Sequence, residues 1–114
     1  MYFKNDNDEH KDLFLTLKEK AGQGDDCEYT AALYVIAAIG KPIRASILKS
    51  GINFSEWFKE AEIWSSSERS LLRLAATLFN ASTWPVTIED VFYSLDEDNV
   101  RVALQALEIR YLMR

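Results

Sequence analysis

The sequence predicts an all-α protein: a compact single-domain bundle of six or seven short helices with an apolar C-terminal helix. Three observations carry this. Apolar residues recur at three- and four-residue spacings in one segment after another. Helix-start signals, a Ser, Thr or Asp followed three residues later by an acid, stand before several of those segments. The four glycines all fall near expected helix ends or turns. No internal repeat, low-complexity tract or Gly/Ser linker divides the 114 residues, so 1–114 is expected to form one domain.

Asp8 or Asn7 is placed to cap a first helix whose stripe is His10, Leu13, Phe14 and Leu17, stopped by Gly22. Asp25 with Glu28 reads as a capping box for a second helix, CEYTAALYVIAAI, ending at Gly40. That helix is apolar nearly all round, which places it in the middle of the fold. Pro42 suits the first turn of a third helix, PIRASILKS, closed by Gly51. Ser55 is the expected cap of EWFKEAEIW, and Ser65 with Glu68 forms a box in front of residues 66–80. There Leu71, Leu74, Ala75 and Leu78 make one face, widened by Leu72 and Phe79, opposite Arg69, Arg73, Thr77 and Asn80.

Pro85 breaks the pattern and pushes Trp84 toward extended backbone. Thr87 with Asp90 then signals IEDVFYSL, and Asp96 starts EDNVRVALQALEIRYLM. Acids in the first turn of this last helix and Arg110 near its end suit the helix dipole. It carries two apolar stripes, Val100–Ala103–Leu104–Leu107–Tyr111 and Val102–Ala106–Ile109–Met113, around a narrow polar seam of Arg101, Gln105 and Glu108. Such a helix is central to the core or half of a dimer interface; the core is the expectation, with a homodimer through this helix as the other outcome.

Composition narrows the function classes. Apolar residues make up 48% and aromatics 12%, which suits a packed core rather than disorder. The longest apolar run, AALYVIAAI, is too short to span a bilayer, and the acidic start MYFKNDNDEHKD does not read as a signal peptide. With one cysteine, Cys27, a cytoplasmic location is expected. The net charge of −5 is uneven: residues 1–40 hold eight acids and four bases, residues 41–80 four acids and six bases, residues 81–114 six acids and three bases. Such a surface disfavours phosphate backbones and anionic membranes.

The chain is not expected to be an enzyme or to bind a cofactor. One histidine and one cysteine, His10 and Cys27, make no zinc pattern, and the DEDN at 96–99 lacks the glycine and alternating oxygen ligands of a calcium loop. His10 is expected in a solvated setting, without a nucleophile beside it. Cys27 stands in a helical first turn but among Asp25, Asp26 and Glu28, whose charge opposes a thiolate. No glycine-rich phosphate loop is present. The serine run before Glu68 is expected to start a helix rather than cradle an anion, because the box already engages Ser65. Residues 87–112 have the spacing of a helix-turn-helix, yet the second helix opens with Glu97, Asp98 and Asn99 where base contacts belong. Of the three tryptophans, Trp57 and Trp64 are expected in the core and Trp84 at the surface.

Two segments, WSSSERSLLRLAATLFN (64–80) and VFYSLDEDNVRVALQALEIRY (91–111), resemble the paired motifs of a small uncharacterised family of helical proteins from Gram-positive bacteria and their phages. Leu72, Arg73, Leu74 and Ala75 match its first motif; Phe92, Leu95, Asp96 and Asn99 match its second, with Ala106 and Arg110 beyond. The start MYFKNDNDEHKDLF is similar too. The motifs are structural rather than catalytic, and the resemblance implies a mobile-element context without a transferable activity. The expectation is a non-enzymatic protein-binding module from a phage or mobile element, an inhibitor of a host defence system such as a CRISPR nuclease. Its contacts with a basic partner protein would be Asp6, Asp8 and Glu9; Asp25 and Asp26; Asp96, Glu97 and Asp98; and Trp84. The alternative is a dimeric helix-turn-helix DNA-binding regulator.

Overall fold

In the computed structural model, which describes residues 1–4, 8–41 and 47–113, the element order is α1 (Glu9–Ala21), α2 (Cys27–Ile39), β1 (Ile47–Leu48), β2 (Gly51–Ile52), α3 (Phe54–Glu60), α4 (Ser66–Phe79), α5 (Ile88–Phe92) and α6 (Glu97–Tyr111). A 3₁₀ turn, Ala61–Ile63, continues α3. The result is an all-α bundle in which α2 is the hub, packed against α1, α4 and α6. Ten of its thirteen residues are buried, from Tyr29 through Ile39, as its apolar circumference requires. Its small residues Ala31, Ala32, Ala37 and Ala38 leave room for neighbours on several sides. A radius of gyration of 12.6 Å is close to the roughly 13 Å of a folded chain this long.

The capping signals sort into those that hold and those that shift by a residue or two. Ser65 and Glu68 close a complete box, the Ser65 hydroxyl accepting from the Glu68 amide at 3.2 Å and Glu68 Oε1 accepting from the Ser65 amide at 3.0 Å. Thr87 and Asp90 close a second, and Asp96 accepts from the Asn99 amide at 2.9 Å. Gly22 and Gly40 end α1 and α2 in left-handed backbone, where a side chain would be strained. For α2 the cap is Asp26 rather than Asp25: Asp26 accepts from the Tyr29 amide at 3.0 Å, so Glu28 is one residue too early to complete a box. For α3 it is Asn53 rather than Ser55, because a start at Phe54 puts Phe54, Trp57 and Ala61 on one buried stripe. Asp8 sits at the head of α1 in left-handed backbone and its side chain caps nothing; Asn7, the other candidate, lies outside the described residues.

The expected third helix is overturned where it is described. Residues 47–52 form a two-stranded antiparallel hairpin with Ile47 opposite Ile52 and Leu48 opposite Gly51; residues 42–46 lie outside the described residues. The physical reason lies in α2 and the loop before it. The Tyr29 hydroxyl is shared between the carbonyls of Leu48 at 2.8 Å and Lys49 at 3.1 Å, and Gln23 Nε2 donates to Lys49 O at 2.6 Å. Those side chains engage carbonyls at the hairpin turn, while Ile47 and Ile52 alternate inward.

The C-terminal helix splits its two stripes. Val102, Ala106 and Ile109 are buried together with Ala103, whereas Leu104 stays 50% exposed, Tyr111 is exposed, and Val100 and Leu107 are half-buried. Arg110 folds back: its Nε donates to Leu78 O at 3.0 Å, closing one of the open carbonyls at the end of α4. The helix at 88–95 is also shorter than expected, ending at Phe92 because the Leu95 amide turns back to Phe92 O before Asp96 starts α6.

Candidate functional site

The acidic clusters do not share one site. Residues 1–4 run along the bundle between α1 and α6. The Tyr2 amide donates to Gln105 Oε1 at 2.8 Å, and the Tyr34 hydroxyl from α2 donates to Tyr2 O. The Lys4 amide donates to His10 Nδ1 at 3.1 Å, while Lys4 Nζ donates to Asn99 Oδ1 at 3.2 Å. Lys4 therefore joins the first turns of α1 and α6. Asp8 and Glu9 from one, and Asp96, Glu97 and Asp98 from the other, stand exposed at the same end of the bundle. Arg101 pairs with Glu97 at 3.1 Å, and Asp98 lies beside the Tyr2 hydroxyl. Asp25 and Asp26 sit past the other end of α1, about 20 Å away at 1.5 Å per residue. Their charge is partly engaged: Asp25 pairs with Lys18 at 3.4 Å and Asp26 caps α2. Asp6 lies outside the described residues.

His10 is not solvated. It is 2% exposed, wedged between Phe3 (centroids 5.2 Å apart) and Tyr34 (4.6 Å). Since Nδ1 accepts from the Lys4 amide, Nε2 carries the proton and donates to Tyr34 O at 2.8 Å. Burial pushes its pKa below the ordinary histidine value; the Tyr34 carbonyl opposes that and the Lys4 charge adds to it. Both ring nitrogens are used within the fold. Cys27 is half-buried, with Arg110 Nη1 3.6 Å from its sulfur. Among the described residues no group of three or more His, Cys, Asp or Glu is placed to hold a metal, and no helix is long and apolar enough to cross a membrane.

Trp84 is half-buried rather than exposed, packed on Phe58 at 5.1 Å and Phe54 at 6.5 Å; Trp64 is half-buried as well, and only Trp57 lies wholly inside. Trp84 lines a cleft of ≈ 440 Å³ with Phe58, Pro85 and Val86, closed on its polar side by Arg73 and Asp90. Arg73 and Asp90 also line a second cleft of ≈ 360 Å³, lined as well by Arg69 of α4, Glu89 of α5 and Tyr93 just past its end. The two clefts adjoin along α4 at Arg73 and Asp90, which line both. In the second cleft the Ser70 and Ser94 hydroxyls are hydrogen-bonded at 3.0 Å. Among the described residues neither arginine forms an ion pair. Hydrogen bonds from the Thr87 amide and hydroxyl hold the Asp90 carboxyl below its usual range, with Arg73 adding to this. Of the serine run, Ser65 is engaged by its box, Glu68 of that box also meets Lys41 at 3.0 Å, and Ser66 lines the groove.

The sequence marks Arg69 and Arg73 as one polar face of α4 and singles out Trp84, but not that these meet. The signal that would have joined them is the break after α4, a turn over residues 81–84 followed by Pro85, which brings α5 back against α4. Within residues 87–112, α5 is followed by a turn and then α6, with Glu97 and Asp98 exposed and Asn99 buried against Lys4. No family model matches the chain, and no curated protein or solved structure matches it.

Proposed function

We propose that the chain is a non-enzymatic protein-binding module whose acidic end engages a basic surface of its partner. The observation that supports this is the convergence of two acidic helix starts, Asp8–Glu9 and Asp96–Glu97–Asp98, on one exposed end. Five carboxylates held by Lys4-bridged helices present a preorganised field, which speeds and orients the approach of an oppositely charged protein. The narrower reading, an inhibitor from a phage or mobile element acting on a host defence protein such as a CRISPR nuclease, rests on the resemblance of the 64–80 and 91–111 motifs. Self-association belongs to the same proposal, through the surface stripe Val100–Leu104–Leu107–Tyr111 of α6. The helix-turn-helix reading is weaker, because Glu97 and Asp98 would face phosphates.

A tagged pull-down from host lysate at moderate and high salt tests the reading. The expected result is one stoichiometric, salt-sensitive partner that is lost from E97K/D98K and kept by D25K, variants that spare the caps Asp96 and Asp26. A partner indifferent to the first variant would rule out the acidic end as the contact. A shift of the protein's own upstream DNA at low salt would favour the regulator.

A further inference from the structure

The face opposite in chemistry to the acidic end is the groove between α4 and α5. Among the described residues three of the most solvent-exposed large apolar side chains belong to the segments that flank it: Tyr93 (79%) in its lining, Ile88 (80%) beside Glu89, and Ile63 (91%) just before α4. Tyr93 lines the groove and Ile88 opens α5. Ile63 follows Glu62, whose carbonyl accepts a long hydrogen bond of 3.5 Å from Arg69. Exposed apolar side chains gathered around a concave surface mark interaction sites more often than the same residues scattered singly. The walls are shallow, since Arg69, Arg73, Pro85, Glu89 and Asp90 are all exposed. A small-molecule site buries most of its ligand, which this groove does not offer; it suits a segment laid along it.

We propose that the α4–α5 groove docks an extended segment of a partner protein that places an apolar ring side chain beside a carboxylate. The ring stands on the Trp84–Phe58 shelf against Pro85 and Val86, where aromatic and proline rings bury flat surface at little entropic cost. The carboxylate meets Arg73, which lies where the two clefts join and has no ion pair of its own among the described residues. Arg69 stands one turn away, four residues at 1.5 Å each, about 6 Å along α4. Alternate side chains of an extended chain are spaced about 6.6 Å apart, so a second acid two residues on reaches it. Glu89 and Asp90 line the α5 side, and Asp90 stands near enough to Arg73 to share its field, so the segment's carboxylate approaches Arg73 from the α4 side, which sets one orientation. Asp90 is already engaged by Thr87 and stays in place. The surface is separate from the acidic end, although Tyr93 and Ser94 lead directly into Asp96.

A random dodecapeptide library panned against the intact protein, with R73E as the counter-selection, tests the proposal. The expected result is enriched peptides that carry Phe, Tyr, Trp or Pro within two residues of Asp or Glu. Their labelled forms should bind R73E at least about tenfold more weakly, and R69E more weakly as well. No enrichment, enrichment of basic or purely apolar peptides, or peptides indifferent to both arginine reversals would overturn it. Both arginines are exposed, so matched thermal unfolding of each variant with the parent separates lost binding from lost fold. The E97K/D98K variant should retain the same peptides, so this proposal and the acidic-end reading fail separately.

Discussion

Helices α2 and α6 look alike as sequences and behave differently in the bundle. Both carry apolar residues on more than one face, and both pack against neighbours. In α2 the residues two apart, Leu33 and Val35, point about 200° from one another by helical geometry, and both are buried. In α6 the equivalent pair, Val102 and Leu104, divides: Val102 is buried and Leu104 half open to solvent. The difference comes from placement. α2 is surrounded by α1, α4 and α6, whereas among the described residues α6 packs chiefly on α2 and α4, with the thin strap of residues 1–4 beside it. Apolar content marks what a helix is able to bury; the number of neighbours sets what it does bury.

The comparison is broken most directly by truncation. Leu33→Ala should cost about 2–5 kcal/mol, and Val35→Ala on the other face about 1.5–3 kcal/mol, in urea unfolding. Near-neutral Val35→Ala would mean that α2 is one-sided after all. In α6, Val102→Ala should match Val35→Ala, while Leu104→Ala should change stability by less than about 1 kcal/mol. If Leu104→Ala instead lowered the melting temperature in a concentration-dependent way, the open stripe would be covered by a second copy.

Between these lies the strap. Tyr34→Phe removes the hydroxyl that α2 donates to Tyr2 O and should cost about 0.5–1.5 kcal/mol. His10 gives the same region a pH signature. Its folded pKa is depressed, so the unfolded state binds the proton first. The neutral ring's contribution is complete above the ordinary value of 6.5 and fades as pH falls from there toward the folded pKa. Stability measured between pH 7.5 and 5 should therefore decline in the parent, and His10→Phe should flatten that decline even though it lowers stability throughout. An equal slope in both would remove His10 as the cause. Glu68 and Asp90, whose carboxyls are held low by their capping boxes, add their losses at more acidic pH.

What the sequence made legible is local. The boxes at Ser65–Glu68 and Thr87–Asp90 need only residues three apart, and both formed as expected. The apolar circumference of α2 announced its burial. What was hidden depends on distant partners. The hairpin at 47–52 is held by Tyr29 and Gln23, and the burial of His10 depends on Phe3 and on Tyr34 from the next helix. Acidic residues alike in sequence ended differently for the same reason: Asp25 met Lys18, whereas Asp8 and Asp96 were drawn to one end through Lys4. Likewise Trp84 and the arginine face of α4 each stood out, but their meeting in one cleft depends on how residues 81–87 fold back after α4.

The strap also bears on the order of assembly. Its bonds reach from Lys4 to Asn99 and from Tyr2 to Gln105, 95 and 103 positions along the chain. Contacts so remote in sequence are the slow ones to close. During synthesis α1, α2 and α4 emerge first, and their mutual packing is available early. Tyr2 and Lys4 must wait for α6 before those two bonds can be made. Until α6 has been made, the strap stays unfastened at that side, and the acidic end comes together only once α6 is in place.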